Sequence, residues 1–391
     1  MRIAIFDGSF ETTAFIRRLI QGLIDAGHEV YVLGFNEKLQ KAIPRVYYVP
    51  LGSNQNTIRF LKVSLVYSIK QRNLFDFIRT VQLIIKGDRM MLQQNNLTSF
   101  INKKKPDIIH VQWPSLLKWV AMYLHDKNLN IVLSQRGYQT NIKSQIDTHY
   151  KNYLKDIYPL LDGIHSVSKA ISLKGKKIGQ PSTKIDHVVY TGLNFNEFTY
   201  RNYTNNTASL ELISVGRSHW KKDYKTALLA CKLLLDKKIE FRFTVIGAEN
   251  DEEVLFLINL LGLDDYVTIT GRVSQNEVKI AIQKSQIMLL SSVEEGIANV
   301  AVEAMALGTP VISTDCGGMQ ELINHNKEGW IVPKRNPKAM AEAILNFTTL
   351  TAKDVETIRL NARRKVKKQH SEEKMISDME DLYKKVIETK I

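Results

Sequence analysis

Strand, helix and strand follow one another within the first 35 or so residues, and that order narrows the possible folds more than any other feature. Ile3-Ala4-Ile5-Phe6 reads as a buried strand and Asp7-Gly8-Ser9 as a turn. Phe15, Leu19 and Leu23 then mark the apolar face of a helix. Gly27 ends that helix, and Val30-Tyr31-Val32-Leu33 is the next strand. Such a βαβ unit packs into a parallel sheet. The alternation continues, with strands expected at 108–111, 131–134, 163–167 and 184–189. After residue 207 a second set begins, with strands at 210–215, 241–246, 267–270, 287–291 and 311–314. The intervening 190–209 is rich in Asn and Thr and poor in apolar residues, as linkers are. The expectation is an α/β protein of two tandem, doubly wound, Rossmann-like domains, 1–195 and 196–372. A final helix, 373–391, is expected to return to the first domain. Open parallel sheets bind ligands at the carboxyl ends of their strands, so a cleft between facing domains is expected and chemistry is sought there.

Composition closes off several alternatives. Hydrophobic residues make up 44% and charged residues 24%, which excludes a disordered or fibrous chain. Cys231 and Cys316 are too few for a disulfide framework or a four-thiolate zinc site. No apolar run is long enough to span a bilayer, and MRIAIFDGSF lacks a signal peptide's apolar core. A cytoplasmic location is expected, with the Asn-x-Ser/Thr sequons at Asn96, Asn202, Asn205 and Asn346 occurring by chance.

The net charge of +14 is unevenly held. Residues 1–195 carry 27 Lys and Arg against 13 Asp and Glu, whereas 196–391 carry 27 of each. Within the first half, 59–105 holds ten basic and two acidic side chains. An acidic partner is implied for this half alone. Nucleic acid is disfavoured, since no aromatic platform or reader motif accompanies the charge. Phe60, Val63, Val66, Phe77, Val81 and Ile84 alternate with Arg59, Lys62, Lys70, Arg72, Arg79 and Lys86, a pattern that suits peripheral seating on the inner face of a cell membrane.

The most informative segment runs from Met288 to Gly318, MLLSSVEEGIANVAVEAMALGTPVISTDCGG. A buried strand leads into a loop with Glu294, Glu295 and Gly296, and a helix is expected from about Asn299 to Leu307, stopped by Gly308. Gly296 allows close approach of a ligand, and the free N–H groups of Ala298, Asn299 and Val300 make an anion site suited to a diphosphate. Glu295 and Glu303 can both face such a ligand. A carboxylate on the otherwise apolar face of AVEAMALG needs a partner, which ribose hydroxyls or a structural arginine would supply. A second segment, Gly216-Arg217 through Lys222, sits between a strand and a helix. Arg217 can fork onto phosphate oxygens and Lys222 adds a mobile point charge, together stabilising a departing diphosphate.

Taken jointly, these segments resemble the retaining glycosyltransferases of family 4, also called glycosyl transferases group 1, which have the GT-B fold. Arg217, four residues, then Lys222 meets one family pattern; Glu295 and Glu303, seven residues between them, meet another. AGHEV (26–30), KPDIIHVQW (105–113), SVSKA (166–170), TGLNFNEF (191–198), ITGRVS (269–274) and DLYKK (381–385) extend the resemblance along most of the chain. The resemblance implies that Arg217 and Lys222 hold the nucleotide diphosphate beside Gly216 and Gly247. It further implies that Glu295 and the backbone of Gly296, Ile297, Ala298, Asn299 and Val300 hold the donor sugar. Glu303 would take the ribose, and Gly271, Arg272 and Val273 would line the base pocket. Transfer would retain anomeric configuration through front-face attack, from a UDP- or GDP-sugar to a glycan or lipid-linked acceptor, in bacterial surface polysaccharide biosynthesis. No cofactor and no metal are implied, and the sequence has no Asp-x-Asp motif to hold a divalent ion.

Departures from the pattern are also legible. Arg136-Gly137 stands where many members have His-Gly; arginine stays protonated, so it can bind sugar hydroxyls or an acidic acceptor but cannot act as a base. The first glycine-rich loop is reduced to Gly8 and Ser9, both candidates for sugar or acceptor contact. Lys222 is followed by Asp223 instead of glycine, and His110 reads as a core or strand-end histidine. A nicotinamide enzyme is disfavoured because DGSFETTAF supplies no G-x-G-x-x-G. The remaining alternative is a non-catalytic nucleotide-sugar-binding protein on the same fold.

Overall fold

The computed structural model describes residues 1–39, 41–70, 73–200 and 209–390. Two compact units emerge. One comprises Met1–Val167, Ser172–Gly192 and the residues from Met375 on; the other comprises Ser168–Ile171 and Leu193–Lys374.

The first unit is built on seven parallel strands: β1 (Arg2–Ser9), β2 (Glu29–Asn36), β3 (Val46–Pro50), β4 (Ile108–Val111), β5 (Asn130–Gln135), β6 (Gly163–Ser166) and β7 (Asp186–Val188), ordered β3-β2-β1-β4-β5-β6-β7. Ile3, Ala4, Ile5 and Phe6 are fully buried, because helices cover both faces and a central parallel strand has no solvated side. The turn expected at Asp7-Gly8-Ser9 is instead the end of β1, which pairs with β2 through register shifts at Gly8. Gly8 absorbs the irregularity at φ +78°.

One layer of this unit comes from far along the chain. In the helix Glu372–Lys390, Met375, Ile376, Met379, Leu382, Tyr383 and Val386 are buried in one cluster with Ile3, Ile5 and Val132. The Tyr383 hydroxyl lies 2.7 Å from His110 Nδ1, and His110 Nε2 lies 2.8 Å from Ser134 Oγ. Ser134 Oγ is in turn 2.8 Å from His165 Nδ1, and the chain ends at the Val189 carbonyl. His110 is thus a core histidine with its ring nitrogens engaged inside the protein. Burial holds His110 well below the ordinary histidine range and His165 at about 3, and the charge of Arg136 adds to both shifts. Both rings are neutral in the fold but become charged in the unfolded chain below its pKa of roughly 6.5. Stability is therefore full above that pH and falls as acid is added, by about 2 kcal/mol from His165 alone at pH 5. Denaturant midpoints should decline from pH 7 to pH 5, and His165→Gln should flatten the slope; an unaltered slope in that variant refutes the assignment.

The basic stretch forms three helices, Thr57–Lys70, Leu74–Lys86 and Arg89–Lys104. The apolar positions read as its outer face mostly turn inward. Phe60 is buried, Val63, Phe77, Val81 and Ile84 are half-buried, and only Val66 is exposed. Arg72 lies outside the described residues.

The second unit has six parallel strands: β8 (Leu210–Val215), β9 (Phe241–Ile246), β10 (Val267–Thr270), β11 (Ile287–Leu290), β12 (Val311–Thr314) and β13 (Trp330–Val332), ordered β10-β9-β8-β11-β12-β13. Strand order reverses between β8 and β11, the switch point where such sheets place ligands. Each unit is a doubly wound, Rossmann-like layer structure. Among the described residues, no helix is long and apolar enough to cross a membrane.

Candidate functional site

At the switch point of the second unit, two loops are bound to each other. The loop after β8 passes through a short 3₁₀ turn, Trp220–Lys222, into the helix Tyr224–Asp236. The Val293 N–H donates to the Lys221 carbonyl (2.8 Å), and the Ser291 hydroxyl donates to the Lys222 carbonyl (2.8 Å). The backbone carrying the lysines is therefore fixed to the end of β11.

Their side chains converge on Glu295. Lys222 Nζ donates to Oε1 at 2.7 Å, Lys221 Nζ lies 3.5 Å from Oε2, and Ser292 Oγ donates to Oε1 at 3.1 Å. Glu295 is only 8% exposed. Burial drives its pKa up, but the two ammonium groups and these hydrogen bonds outweigh burial and hold it below the ordinary carboxylate value. A buried, ionised carboxylate with two cations is a net-positive group at the switch point. Lys221 and Ser292 were not anticipated, since the Arg-x₄-Lys spacing singles out only the outer cations.

Glycines set the geometry around this cluster. A Cβ on Gly216 would lie 2.9 Å from Lys222 Cε, and one on Gly247, at φ +99°, 2.9 Å from the Gly216 carbonyl oxygen. On the other side, Gly318 N–H donates to the Gly296 carbonyl at 2.7 Å. Any Cβ on Gly317 (φ +53°) would overlap the Glu295 carbonyl oxygen. The Cys316-Gly317-Gly318 turn thus clamps the loop that carries Glu295.

The helix Asn299–Leu307 follows that loop, with no side chain capping its start at Ala298 and Gly308 closing it at φ +89°. Ile297, Asn299 and Val300 are half-buried, and the Ala298 N–H, expected to be free for an anion, instead donates to Met319 Sδ at 3.5 Å. Glu303 stands half-buried on this helix. Arg217 is exposed, and its charge, with those of Lys221 and Lys222, helps keep the partly desolvated His219 below the ordinary histidine range. Gly271, Arg272 and Val273 follow β10, where the Glu249 carboxylate lies so close over Gly271 that a side chain there would strike it.

In the first unit, the ends of β1, β4 and β5 bring together residues far apart in sequence. Arg136 Nη2 donates to Gln112 Oε1 at 2.8 Å, and its guanidinium lies over Phe15 at 4.3 Å and Trp113 at 5.4 Å. Trp113 Nε1 donates to Asp7 Oδ1 at 2.6 Å. Burial lifts the Asp7 pKa to about 6 against the pull of Trp113 and Arg136, while burial lowers that of Arg136 to about 10. Ser9 Oγ accepts from the Glu11 N–H at 3.1 Å, so Ser9 serves its own loop. Asp7, Gln112 and Trp113 lay beyond local sequence reasoning, since Trp113 reaches Asp7 across 106 positions and Gln112 reaches Arg136 across 24. Among the described residues, no cluster of three or more His, Cys, Asp or Glu is placed to hold a metal.

Comparison with known proteins agrees with this architecture. The family model for Glycosyltransferase Family 4 matches residues 12–197, and that for Glycosyl transferases group 1 matches 196–365. The chain belongs to the family 4 glycosyltransferases, with the GT-B fold. It is 31% identical over 228 residues to the amylovoran biosynthesis glycosyltransferase AmsK of Erwinia amylovora, covering 56% of this chain and 55% of that one. The chain thus spans about half the length of the first curated relatives it matches. Among solved structures, sucrose-phosphate synthase of Thermosynechococcus elongatus superimposes with a TM-score of 0.78 at 18% identity, covering 99% of both chains. The Anabaena protein HepE, solved with UDP-glucose, gives 0.73 at 15% identity, covering 98% of this chain and all of its own.

Proposed function

We propose that this protein transfers a sugar from a nucleotide-diphosphate donor to a glycan or lipid-linked acceptor, with retention, in surface polysaccharide assembly. The observation that carries the reading is the Lys221–Glu295–Lys222 cluster beside a helix start that no side chain caps. Lys222, joined by Arg217, meets the diphosphate, and charge that builds on the leaving oxygen is stabilised by cations already in place. Glu295, kept ionised, accepts hydrogen bonds from donor-sugar hydroxyls, and the half-buried Glu303 suits the ribose. Gly271, Arg272 and Val273 suit the base, which is uracil or guanine. The leaving phosphate oxygen takes the acceptor's proton on the same face of the sugar, which accounts for retention without a protein base. That absence fits Arg136, whose guanidinium is pinned to Gln112 and presents charge to a hydroxylated or acidic acceptor. The amylovoran relative supports the polysaccharide setting, and the UDP-glucose complex of HepE supports a nucleotide-sugar donor.

The test is release of nucleoside diphosphate from a panel of UDP- and GDP-sugars, read beside thermal shifts. A donor at a hundred times its dissociation constant raises stability by roughly 2.7 kcal/mol. Stabilisation without release, with every acceptor offered, would establish the alternative of a non-catalytic binding protein. Because Arg217, Lys221 and Lys222 supply the positive charge, excess chelator should leave the rate unaltered. Loss of transfer on chelation, restored by magnesium or manganese, would overturn the metal-independent account.

A further inference from the structure

The helices Thr57–Lys70 and Leu74–Lys86 expose what helices of a water-facing layer normally hide. Ile58 is 80% exposed, Ile69 62%, Leu74 73%, Phe75 71% and Ile85 80%, with Val66 and Ile78 also exposed. The faces turned inward carry Phe60 together with Ser64, Ser68 and Thr80, so apolar side chains stand on both sides of these helices. The exposed ones have a geometric order. At 100° per residue, Leu74, Ile85, Ile78 and Phe75 fall within one 100° arc of the second helix, and Lys86 and Arg79 border that arc. On the first helix Ile58, Ile69 and Val66 share an arc of similar width with Lys62, Arg59 and Lys70, all exposed. The one acid in either helix, Asp76, is only half-buried in the first turn of the second. Arg59 also pairs with Glu37 at 3.3 Å.

Exposed apolar ridges bordered by cations, with no exposed acid on either helix, match an interfacial element whose apolar side chains enter a bilayer while Lys and Arg meet headgroups. A second copy of the chain is a poor occupant, since an isologous contact would oppose like cations across an apolar seam. Beside this face is a cavity of about 630 Å³ lined by Lys70, Lys103 and Lys104, with Tyr67 and Phe100 as apolar floor and Asp76 among its walls. Lys70 belongs to both the face and the cavity, which gives an anionic headgroup a place to enter.

We propose that the exposed face of Thr57–Lys70 and Leu74–Lys86 seats the protein on an anionic lipid surface, with the seven apolar side chains inserted and the cations at the phosphate level. Seating does not depend on the transfer reaction and is read by binding alone. The full chain is sedimented with phosphatidylcholine vesicles and with vesicles also containing phosphatidylglycerol, across a salt series. Binding should require the acidic lipid and weaken as salt rises. Arg79→Gln with Lys86→Gln should lower partitioning by roughly thirtyfold, at roughly fivefold per cation. Phe75→Ser with Ile85→Ser, at positions whose side chains face water, should lower it at any salt while circular dichroism and melting stay as in the parent. The proposal is overturned by equal binding to both vesicle types, by no binding to either, or by double variants that bind as the parent does. Light scattering that shows a dimer abolished by Phe75→Ser with Ile85→Ser would assign the face to a second copy instead.

Discussion

Lys222→Ala and Glu295→Ala should each lower turnover of a nucleotide-sugar by on the order of a hundredfold or more, with the fold retained. Lys222 supplies the shortest contact in the cluster, 2.7 Å to Glu295, from backbone tied to β11 by Ser291 and Val293. Its removal leaves Lys221 to compensate a carboxylate that is 8% exposed. Two effects follow, and they are separable. Charge on the leaving diphosphate would lose one of the cations proposed to meet it, which lowers kcat. The Glu295 pKa also rises, because burial is then opposed by one ammonium instead of two. The acid limb of the pH–rate profile should therefore move to higher pH in Lys222→Ala, a change that simple loosening of the loop would not produce. Turnover near that of the parent in either variant, under matched donor and acceptor, removes that residue from the mechanism.

Gly317→Ala should impair transfer comparably although the new methyl is no part of the proposed chemistry. The position has φ +53°, and a Cβ there would overlap the Glu295 carbonyl oxygen. Loop and turn must separate, and the Gly318 to Gly296 hydrogen bond of 2.7 Å lies across the same gap. A displacement of about 1 Å in a positioned group can cost on the order of a hundredfold in rate. The sheet beneath is not touched, so far-ultraviolet dichroism should be unaltered while donor-induced thermal shift and turnover both drop. A fully active Gly317→Ala would show that the clamp does not set the position of Glu295.

The parallel sheets were legible because their strands are mostly apolar runs separated by helical periods, as in Ile3–Phe6 and Ile287–Leu290. The strands that escaped notice have a physical excuse. Val46–Pro50 is an edge strand with Tyr47 exposed and a proline at its end, and Trp330–Val332 is only three residues long. The loop with Glu295 was legible because glycine, acid and helix start adjoin in sequence. Lys221 was not, because only the fold shows that both lysines reach one carboxylate. The cluster of Asp7, Trp113 and Arg136 is invisible locally, since parallel strands bring their ends together only after long crossovers. The basic helices were misread for a related reason. Amphipathic spacing identifies faces but not which face looks outward, and here Phe60 looks in with two serines and a threonine while other apolar side chains look out.

The placement of Tyr383 has a consequence for how the protein is made. The first sheet needs Met379, Leu382, Tyr383 and Val386 to complete the cluster around Ile3 and Ile5, and to engage the ring of His110. Those residues leave the ribosome only after the whole of Leu193–Lys374 has been synthesised, which at roughly 5–20 residues per second takes on the order of ten to forty seconds. The second unit can close while it is being translated. The first begins earlier and finishes last, waiting as a partly covered sheet until the final helix arrives.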